Sequence, residues 1–466
     1  MSAGTGVTKA SQSNLGGIVE QSFQYFVGID WGTQTHRVAV LDGSGRPVEQ
    51  YNADHSGEGL VALVNKLKQR TAYEPALVAI GIEVAWGALV ETLVEAGFAV
   101  FSINPKQVDR FRDRFTVAGA KDDARDALVL ASSLYTDRQS YRRVEIDSPE
   151  LIRLRELSRF QYELKVELRR VTNRLWQQLH RYYQQMLAIS PAADDRLMWD
   201  LLEAAPTPDA GAKITSLRIM RILKANRIRK VSVDEVHAAL RPAPLILAPG
   251  AAEAACEHVQ LLLPQVKLLE EQLREVVNRI KRLLNVMIEE NAGTNQPPCD
   301  AGLVLSIPGI GPAVAAALLT EASKPIRERD YEALRCYAGT APVTRQSGKR
   351  KTVGMRQACS PRLRNAVFYW ATCSLCCDGR SRRQYDALRA AGHFHARALR
   401  GLADRLLGVL VALLKTQKHF DKARRDGTFA KNPLVIATAW WRVYRRLVIK
   451  PETLLMGAAF GRTYKA

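Results

Sequence analysis

Long apolar runs are missing from this 466-residue chain. The longest one near the C-terminus, LLGVLVALL at 406–414, stands between Arg405 and Lys415. A bilayer-spanning helix needs about 20 such residues, so no membrane partner is expected. A secretory leader is missing too. MSAGTGVTKASQSNLGG is small and polar without an apolar core, so residues 1–22 read as a disordered tail and the compartment as the cytoplasm. Cysteine is sparse, seven residues in all, as expected of a reducing interior. The one cluster, Cys373, Cys376 and Cys377, has no second ligand pair at zinc-finger spacing. Buried thiols on a helix are therefore expected in place of a metal site.

Negative charge is also short. Against 67 Lys and Arg stand 47 Asp and Glu, a net charge of +20. Such an excess favours polyanionic partners, because each phosphate neutralised releases counterions. The deficit is uneven: residues 1–144 hold 15 basic and 16 acidic residues, and the remaining 322 hold 52 and 31. The N-terminal part can tolerate a carboxylate-rich site while the rest supplies a positive surface. Nucleic acid is the expected partner, although no zinc finger and no clear helix-turn-helix reader is found.

The stretch YFVGIDWG followed by THRVAVLDGSGRPVEQYNAD predicts a β-hairpin turning at Asp42-Gly43-Ser44-Gly45. GEGLVALVNKLKQR has helical spacing, ALVAIGIEV reads as a buried strand, GALVETLVEAG as a helix ending at Gly97, and FAVFSIN as a strand stopped at Pro105. This β-β-α-β-α-β order predicts a mixed α/β sheet flanked by helices over 23–147, as in the RNase H-like folds.

Long helices follow from about 148. Phe160, Leu164, Leu168, Val171, Leu175, Leu179, Tyr182 and Met186 repeat with an eleven-residue period. Leu262, Val266, Leu269, Leu273, Val276, Ile280, Leu283 and Met287 form a heptad seam, with Pro264 tolerable only near its start. Residues 148–290 are thus expected to form a coiled-coil region, as an antiparallel arm or a dimer interface. Two packed helices of one bundle are the plain alternative. Within an insert at about 187–257, the loops SPAADD, AAPTPDAGAK and RPAPLILAPGAA bracket a small basic helical stretch, SLRIMRILKANRIRKVSVDEVHAAL, and NAGTNQPPCD (291–300) reads as a linker. A mainly α C-terminal domain is expected over 301–430, with an extension over 431–466. It opens with a helix-hairpin-helix-like element in which Gly309 and Gly311 shape a Gly-Ile-Gly-Pro turn. Such a turn can present backbone N–H groups to a nucleic-acid phosphate, or simply join two helices.

GIDWGTQT (28–35) suits two chemistries. An Asp-x-Gly-Thr turn can hold the phosphates of ATP in an actin-like ATPase, or the aspartate can hold a metal in a nuclease. Asp30 ends an apolar strand, and Glu83 ends AIGIE in the same way. A carboxylate there is costly unless compensated. Asp123 and Asp126, three apart in AGAKDDARDALVLASSL, share one face of a helix. Carboxylates from two strands and a helix could hold a pair of divalent metals for phosphoryl transfer, and Mg2+ (or Mn2+) suits such hard oxygen ligands. Alternatively Asp122, Asp123 and Asp126 are a solvated helix start.

In order along the chain, VGIDWGTQTHRVAVLD, GIEVAWG, INPKQVDRFRDRFTVAGAKDDARDALVLA and SIPGIGPAVAAALL…YAGTAPVTRQSGK resemble the DEDD transposases of insertion sequences, the bridge-RNA-guided recombinases. The resemblance covers about 25–135 and 300–415. It implies a RuvC-like N-terminal domain with Asp30, Glu83, Asp123 and Asp126 as metal ligands, and Lys121 beside them against nucleic acid. It further implies that Ser347 of VTRQSGKRKTVG attacks a DNA phosphate and forms a phosphoserine link, with Arg345, Lys349, Arg350 and Lys351 neutralising charge. Donor and target DNA, a structured guide RNA and a dimer or tetramer formed through the coiled-coil helices, in a prokaryotic cytoplasm, complete what it implies. Asp122 stands where the pattern has an uncharged residue, and Cys359 and Ser360 stand where a Gly-rich turn is expected. Residues 187–255 have no counterpart.

Three other readings stay open on the residues. A Holliday-junction-resolvase-like endonuclease would use the same carboxylates to activate water. The ATPase needs a second phosphate loop, and CDGRS at 377–381 lacks the preceding strand. A non-catalytic coiled-coil scaffold comes last.

Overall fold

The computed structural model describes residues 22–421 apart from 85, 113–122, 146, 230, 293–296 and 349. The expected tail up to residue 21 and the extension over 431–466 lie outside the described residues, as do Lys121, Asp122 and Lys349. The chain divides into two compact units, Met1–Asp147 and Ser148–Ala466.

The first unit is built on a six-stranded mixed sheet of order β3-β2-β1-β4-β5-β6. Its strands are β1 (Tyr25–Asp30), β2 (Thr35–Asp42), β3 (Pro47–Asp54), β4 (Val78–Ile82), β5 (Ala99–Ser102) and β6 (Arg142–Arg143). β1, β4 and β5 run parallel, while β2, β3 and β6 are antiparallel to their neighbours. The β2–β3 turn falls where the sequence places it. Asp42 Oδ1 accepts hydrogen bonds from the Ser44 amide (2.8 Å), Ser44 Oγ (2.7 Å) and the Arg46 amide (2.9 Å). Gly45 supplies the left-handed residue, at φ +82°.

The helices of this unit are α1 (Gly57–Gln69), α2 (Ala88–Glu95), α3 (Pro105–Arg112) and α4 (Asp123–Asp137). Ser56 caps α1 by accepting from the Gly59 amide. One sheet face, with Val27, Ile29, Val38 and Ile80, packs with Leu60, Leu63 and Leu67 of α1 and Leu93 of α2. The other face, with Phe26, Ala79 and Phe101, packs with Val108 of α3 and Leu130 and Leu134 of α4. The result is an α/β/α sandwich. β6 and α3 have no counterpart in the reading of the sequence, since two residues of strand and eight of helix carry too little periodicity.

The second unit is helical apart from one hairpin. Its first helices are α5 (Pro149–Tyr182), α6 (Gln184–Ile189), α7 (Arg196–Ala204), α8 (Pro208–Lys213), α9 (Ser216–Ala225), α10 (Val233–Leu240) and α11 (Ala251–Ala292). After them come α12 (Asp300–Leu305), α13 (Pro312–Glu321), α14 (Ser323–Arg327), α15 (Tyr331–Tyr337), strands β7 (Pro342–Ser347) and β8 (Arg350–Met355), α16 (Pro361–Cys377), α17 (Gly379–Ala390) and α18 (His395–Thr416).

α5 and α11 pack as an antiparallel pair within one chain. Leu154 and Leu164 share a core with Val276, Ile280 and Leu284, whereas Val171, Leu175 and Leu179 share another with Val259, Leu262 and Val266. The heptad seam is thereby buried in this chain's own cores, and the dimer-interface alternative finds it already covered. Two details of the sequence reading change. Phe160 is 47% exposed while Gln161 and Ser158 are buried, so the α5 stripe begins through Leu154, Ser158 and Gln161. Pro264 lies well inside α11, where the missing N–H forfeits one helical bond that a 42-residue helix packed on α5 absorbs.

AAPTPDAGAK contains α8 where a loop was expected, because Thr207 accepts from the Ala210 amide and Pro208 occupies the first turn. The helices over 184–250 close the second core. The first core joins α5 and α11 to α12, α13, α16 and α18, so the helices on both sides of 291–300 are packed into one body. Among the described residues no helix is long and apolar enough to cross a membrane.

Candidate active site

β1 and β4 carry the same three-residue pattern, Gly28-Ile29-Asp30 and Gly81-Ile82-Glu83, in parallel register, with Gly28 beside Gly81 and Ile29 beside Ile82. The alternation of a strand sends both isoleucines to one face and both glycines to the other. On the glycine face lies α4. A Cβ at Gly28 would come within 2.0 Å of the Ala127 carbonyl oxygen, and one at Gly81 within 3.3 Å of the Leu130 carbonyl oxygen. Two bare backbones thus let α4 lie close against the sheet. The acids two residues on, at the strand ends, share that face, and Asp126, the neighbour of Ala127, is buried beside them.

Asp30, Glu83 and Asp126 line one cleft of about 490 Å3, together with Asp109 of α3, Trp31, Gly32, Thr35, Arg37, Asn52 and Pro105. Asp109 escaped the sequence reading, since α3 itself was not recognised. Asp123 begins α4 three residues before Asp126, but its side chain lies outside the described residues. The donor set is all oxygen, which fits a hard divalent cation. Among the described residues no group of three or more His, Cys, Asp or Glu side chains is placed so as to hold a metal ion by itself. Mg2+ is commonly held by only one or two carboxylates plus waters and substrate phosphate, so an open set suits it better than a closed one.

Behind Asp30, a pair of imidazoles holds the turn. The Gly32 amide donates to His36 Nδ1 (3.3 Å), so the ring proton sits on Nε2, which donates to His55 Nδ1 (2.9 Å). His36 is fully buried, and burial, with His55 beside it, pushes its pKa down. His55 meets Trp31 edge-on at 6.5 Å between ring centres. A Cβ on Gly32 would come within 2.1 Å of the Thr35 carbonyl oxygen, so tight turning accounts for glycine at that position.

Ser347 is the last residue of β7, in a two-stranded hairpin, and Gly348 just beyond it has φ +56°. Ser347 pairs with Arg350, Gln346 with Lys351 and Arg345 with Thr352. Alternation puts Ser347, Arg345 and Arg350 on one face and Lys351 on the other. The hairpin is exposed almost throughout.

Its legs are nevertheless fixed. Asp404 of α18 accepts from Thr340 Oγ1 (2.7 Å) and, through two oxygens, from Arg335 Nε (3.0 Å) and Nη2 (2.8 Å). The Arg335 carbonyl in turn accepts from the Thr340 and Ala341 amides. On the other leg Arg364 Nη2 donates to the Arg356 and Gln357 carbonyls at 3.2 and 3.3 Å. Ser360, where glycine was expected, caps α16 through the Leu363 amide and donates to Glu321 (3.0 Å).

The Gly309-Ile310-Gly311-Pro312 turn joins α12 to α13, and both glycines are buried. Trp370 Nε1 donates to the Pro308 carbonyl (3.1 Å), and Gly309, at φ +86°, lies against Ser374 of α16. Helix packing therefore accounts for glycine at 309. Cys373 is buried on α16, with burial pushing its thiol up to about 11, whereas Cys376 is exposed. None of the seven cysteines forms a disulfide. CDGRS forms a helix–helix corner in which Asp378 accepts from the Arg380 amide.

Comparison with known proteins adds an independent observation. A family model described as "Transposase", the IS110-type DEDD domain, matches residues 27–184, and one described as "Transposase IS116/IS110/IS902 family" matches residues 301–386. A Sinorhizobium fredii protein named as a candidate transposase, y4uE, is 41% identical over 238 residues, which are 51% of this chain and 64% of that protein. The candidate transposase of the IS117 mini-circle of Streptomyces coelicolor is 32% identical over 87% of this chain and 97% of its own length. The 43.6 kDa protein of insertion element IS110 from the same organism is 27% identical over 87% of this chain and 95% of its own.

Proposed function

Since this chain belongs to the IS116/IS110/IS902 family of insertion-sequence transposases, we propose that it cuts and rejoins DNA through a covalent phosphoserine intermediate assisted by divalent metal. The observation that carries this reading is the convergence of Asp30, Glu83 and Asp126 on one cleft. In it the first unit is an RNase H-like, RuvC-like domain, and Asp123 joins the three as fourth ligand.

A bound Mg2+ or Mn2+ would supply Lewis-acid stabilisation of charge on the phosphate oxygens. Asp30, Glu83 and Asp126 would hold it, together with waters and substrate phosphate, and the close contact of α4 with β1 and β4 sets where they stand. Ser347 Oγ forms the new bond to phosphorus as the bond to the displaced sugar oxygen breaks. The hydroxyl proton passes to a base, and the displaced oxygen is left as a terminal hydroxyl. Arg345 and Arg350, on the same face of the hairpin as Ser347, offset the phosphate charge, and the charges of Lys349 and Lys351 add to theirs. Attack by a sugar hydroxyl from the second DNA on the phosphoserine restores the serine and joins the strands without ATP.

A structured guide RNA that pairs with donor and target would carry the sequence choice. The basic excess of residues 145–466 supports polyanion binding. Lys121 and the 309–311 turn are further candidate phosphate contacts. Joining two DNAs calls for more than one such site, hence a homo-oligomer. With the α5–α11 seam covered within the chain, other surfaces would mediate it.

The test incubates protein, copurified RNA and labelled donor and target DNA with Mg2+. A protein–DNA adduct that disappears in Ser347→Ala supports the reading. Cleavage without adduct, unchanged in Ser347→Ala, would replace it with hydrolysis by a resolvase-like nuclease.

A further inference from the structure

We propose that Arg37 is a binding residue for a backbone phosphodiester of the nucleic acid that enters the carboxylate cleft. This rests on the reading of that cleft as the strand-cutting site.

Asp30 of β1, Arg37 of β2 and Asn52 of β3 are directly opposed in register and form one row across three antiparallel strands. Opposed residues in such strands share a face. Here it is the face on which Gly28 meets α4 and on which the cleft opens, and Arg37 lines the cleft with Asp30 and Asn52. The guanidinium is oriented by two donations, Nη1 to Asn52 Oδ1 (3.0 Å) and Nη2 to Gln50 Oε1 (3.3 Å). Both acceptors are neutral amides. They hold the fork in place without cancelling its charge, whereas a carboxylate at position 50 or 52 would have done both.

An arginine fixed in this way, with further N–H donors in a planar fork, suits a phosphate oxygen. The cleft needs such a group. A nucleic-acid strand brings negative charge to a place lined by Asp30, Glu83, Asp109 and Asp126, and metal neutralises only the carboxylates it ligates. Arg37 stands opposite Asp30, so the phosphate it would hold lies beside the reacting one. The plainer role, a counter-charge that only keeps Asp30 folded into place, predicts different behaviour.

The test uses the full chain with its copurified RNA and a fluorescent duplex from the end of the element, with Ca2+ in place of Mg2+. Affinity is measured over a series of salt concentrations. Arg37→Gln is expected to bind about tenfold more weakly, with the salt slope reduced by about 0.9, one phosphate contact on duplex DNA. Arg37→Lys keeps most of the slope. Asn52→Ala is expected to weaken binding in the natural chain but to add nothing in an Arg37→Gln background. If Arg37→Gln does not fold, Asn52→Ala and Gln50→Ala decide by the same affinity measurement.

Unchanged affinity and slope in Arg37→Gln, with only a lower melting temperature, would leave the counter-charge role and overturn the proposal. Asp30→Asn separates the two levels. If it still cuts DNA, the reading of the cleft falls. If it is inactive while Arg37→Gln and Asn52→Ala bind like the natural chain, only the phosphate contact falls.

Discussion

Gly28 of β1 and Ala127 of α4 meet backbone to backbone: a Cβ at position 28 would sit 2.0 Å from the Ala127 carbonyl oxygen and 2.5 Å from the Ala131 amide nitrogen. The obstacle is main chain, so no side-chain trimming on α4 can relieve it. Gly28→Ala is expected to destabilise by about 1–3 kcal/mol, in the range for overpacking, and Gly28→Val by more. Because Asp126 rides on the same helix, DNA cutting should fall about 100-fold, as for a misplacement near 1 Å. Urea melts and cleavage assays on one preparation test both. Wild-type stability in Gly28→Val would mean the helix is not held there.

Asp30→Asn, Glu83→Gln and Asp126→Asn each remove one charge from the cleft. Recombination is expected to drop at least a thousandfold, and the shift in melting temperature produced by Mn2+ should shrink in each. Retained Mn2+ stabilisation in all three would show that the cation binds elsewhere.

Ser347 is exposed, and its removal should be silent in stability, within about 0.5 kcal/mol, while the covalent adduct vanishes. Gly348 is the contrasting case. At φ +56° a side chain costs about 1–2 kcal/mol, so Gly348→Val should loosen the hairpin tip and slow adduct formation with the nucleophile intact. Equal rates in Gly348→Val and the natural chain would detach the turn from the chemistry.

Asp404 ties α18 to the first leg of the hairpin through Arg335 and Thr340. Asp404→Ala leaves Arg335 and Thr340 Oγ1 without that acceptor. The expected cost is about 2–4 kcal/mol, somewhat below the loss from a fully buried pair because this one is partly solvated. Thr340→Val should cost less and still slow adduct formation at temperatures where the protein is folded. Thermal melts and single-turnover adduct kinetics separate the two effects.

His36 gives the first unit an acid-side weakness. Its folded pKa lies below the ordinary value, through burial first and His55 second. Above pH 6.5 both folded and unfolded forms are neutral and nothing is lost. As pH falls below 6.5 the unfolded chain takes up a proton that the folded chain resists, so stability declines towards the folded pKa. Melting temperatures between pH 7.5 and 5 should fall more steeply for the natural chain than for His36→Gln. Parallel curves would locate the acid sensitivity elsewhere.

Much of the N-terminal sheet was legible because its strands are apolar and bounded by Gly, Pro and Asp, and Asp30 and Glu83 stand out as acids at the ends of such strands. The matched Gly-Ile-acid pattern was also present, but its meaning needed the parallel register that sets Gly28 beside Gly81. Asp109 and Arg37 were not legible as cleft residues, since a short helix and a cross-strand row join positions that no local spacing links. In the second unit the period of α5 and α11 announced long helices. Which partner covered the seam was not written in the period, because a heptad stripe fits a neighbouring chain as well as a neighbouring helix. Cys359 and Ser360 looked like a departure from a glycine turn, yet Ser360 followed by Pro361 is a strong helix start, and α16 begins there.

Among the described residues the antiparallel α5–α11 pair has one end in each of two cores, and the helices over 184–250 build the core at the end remote from the serine hairpin. A segment held in that way is exchangeable: it can be swapped between relatives or redesigned as a cassette, with the junctions set in α5 and α11 between Leu168 and Leu269. Variation among relatives would then collect in the cassette, while the chemistry at the other end is inherited unchanged.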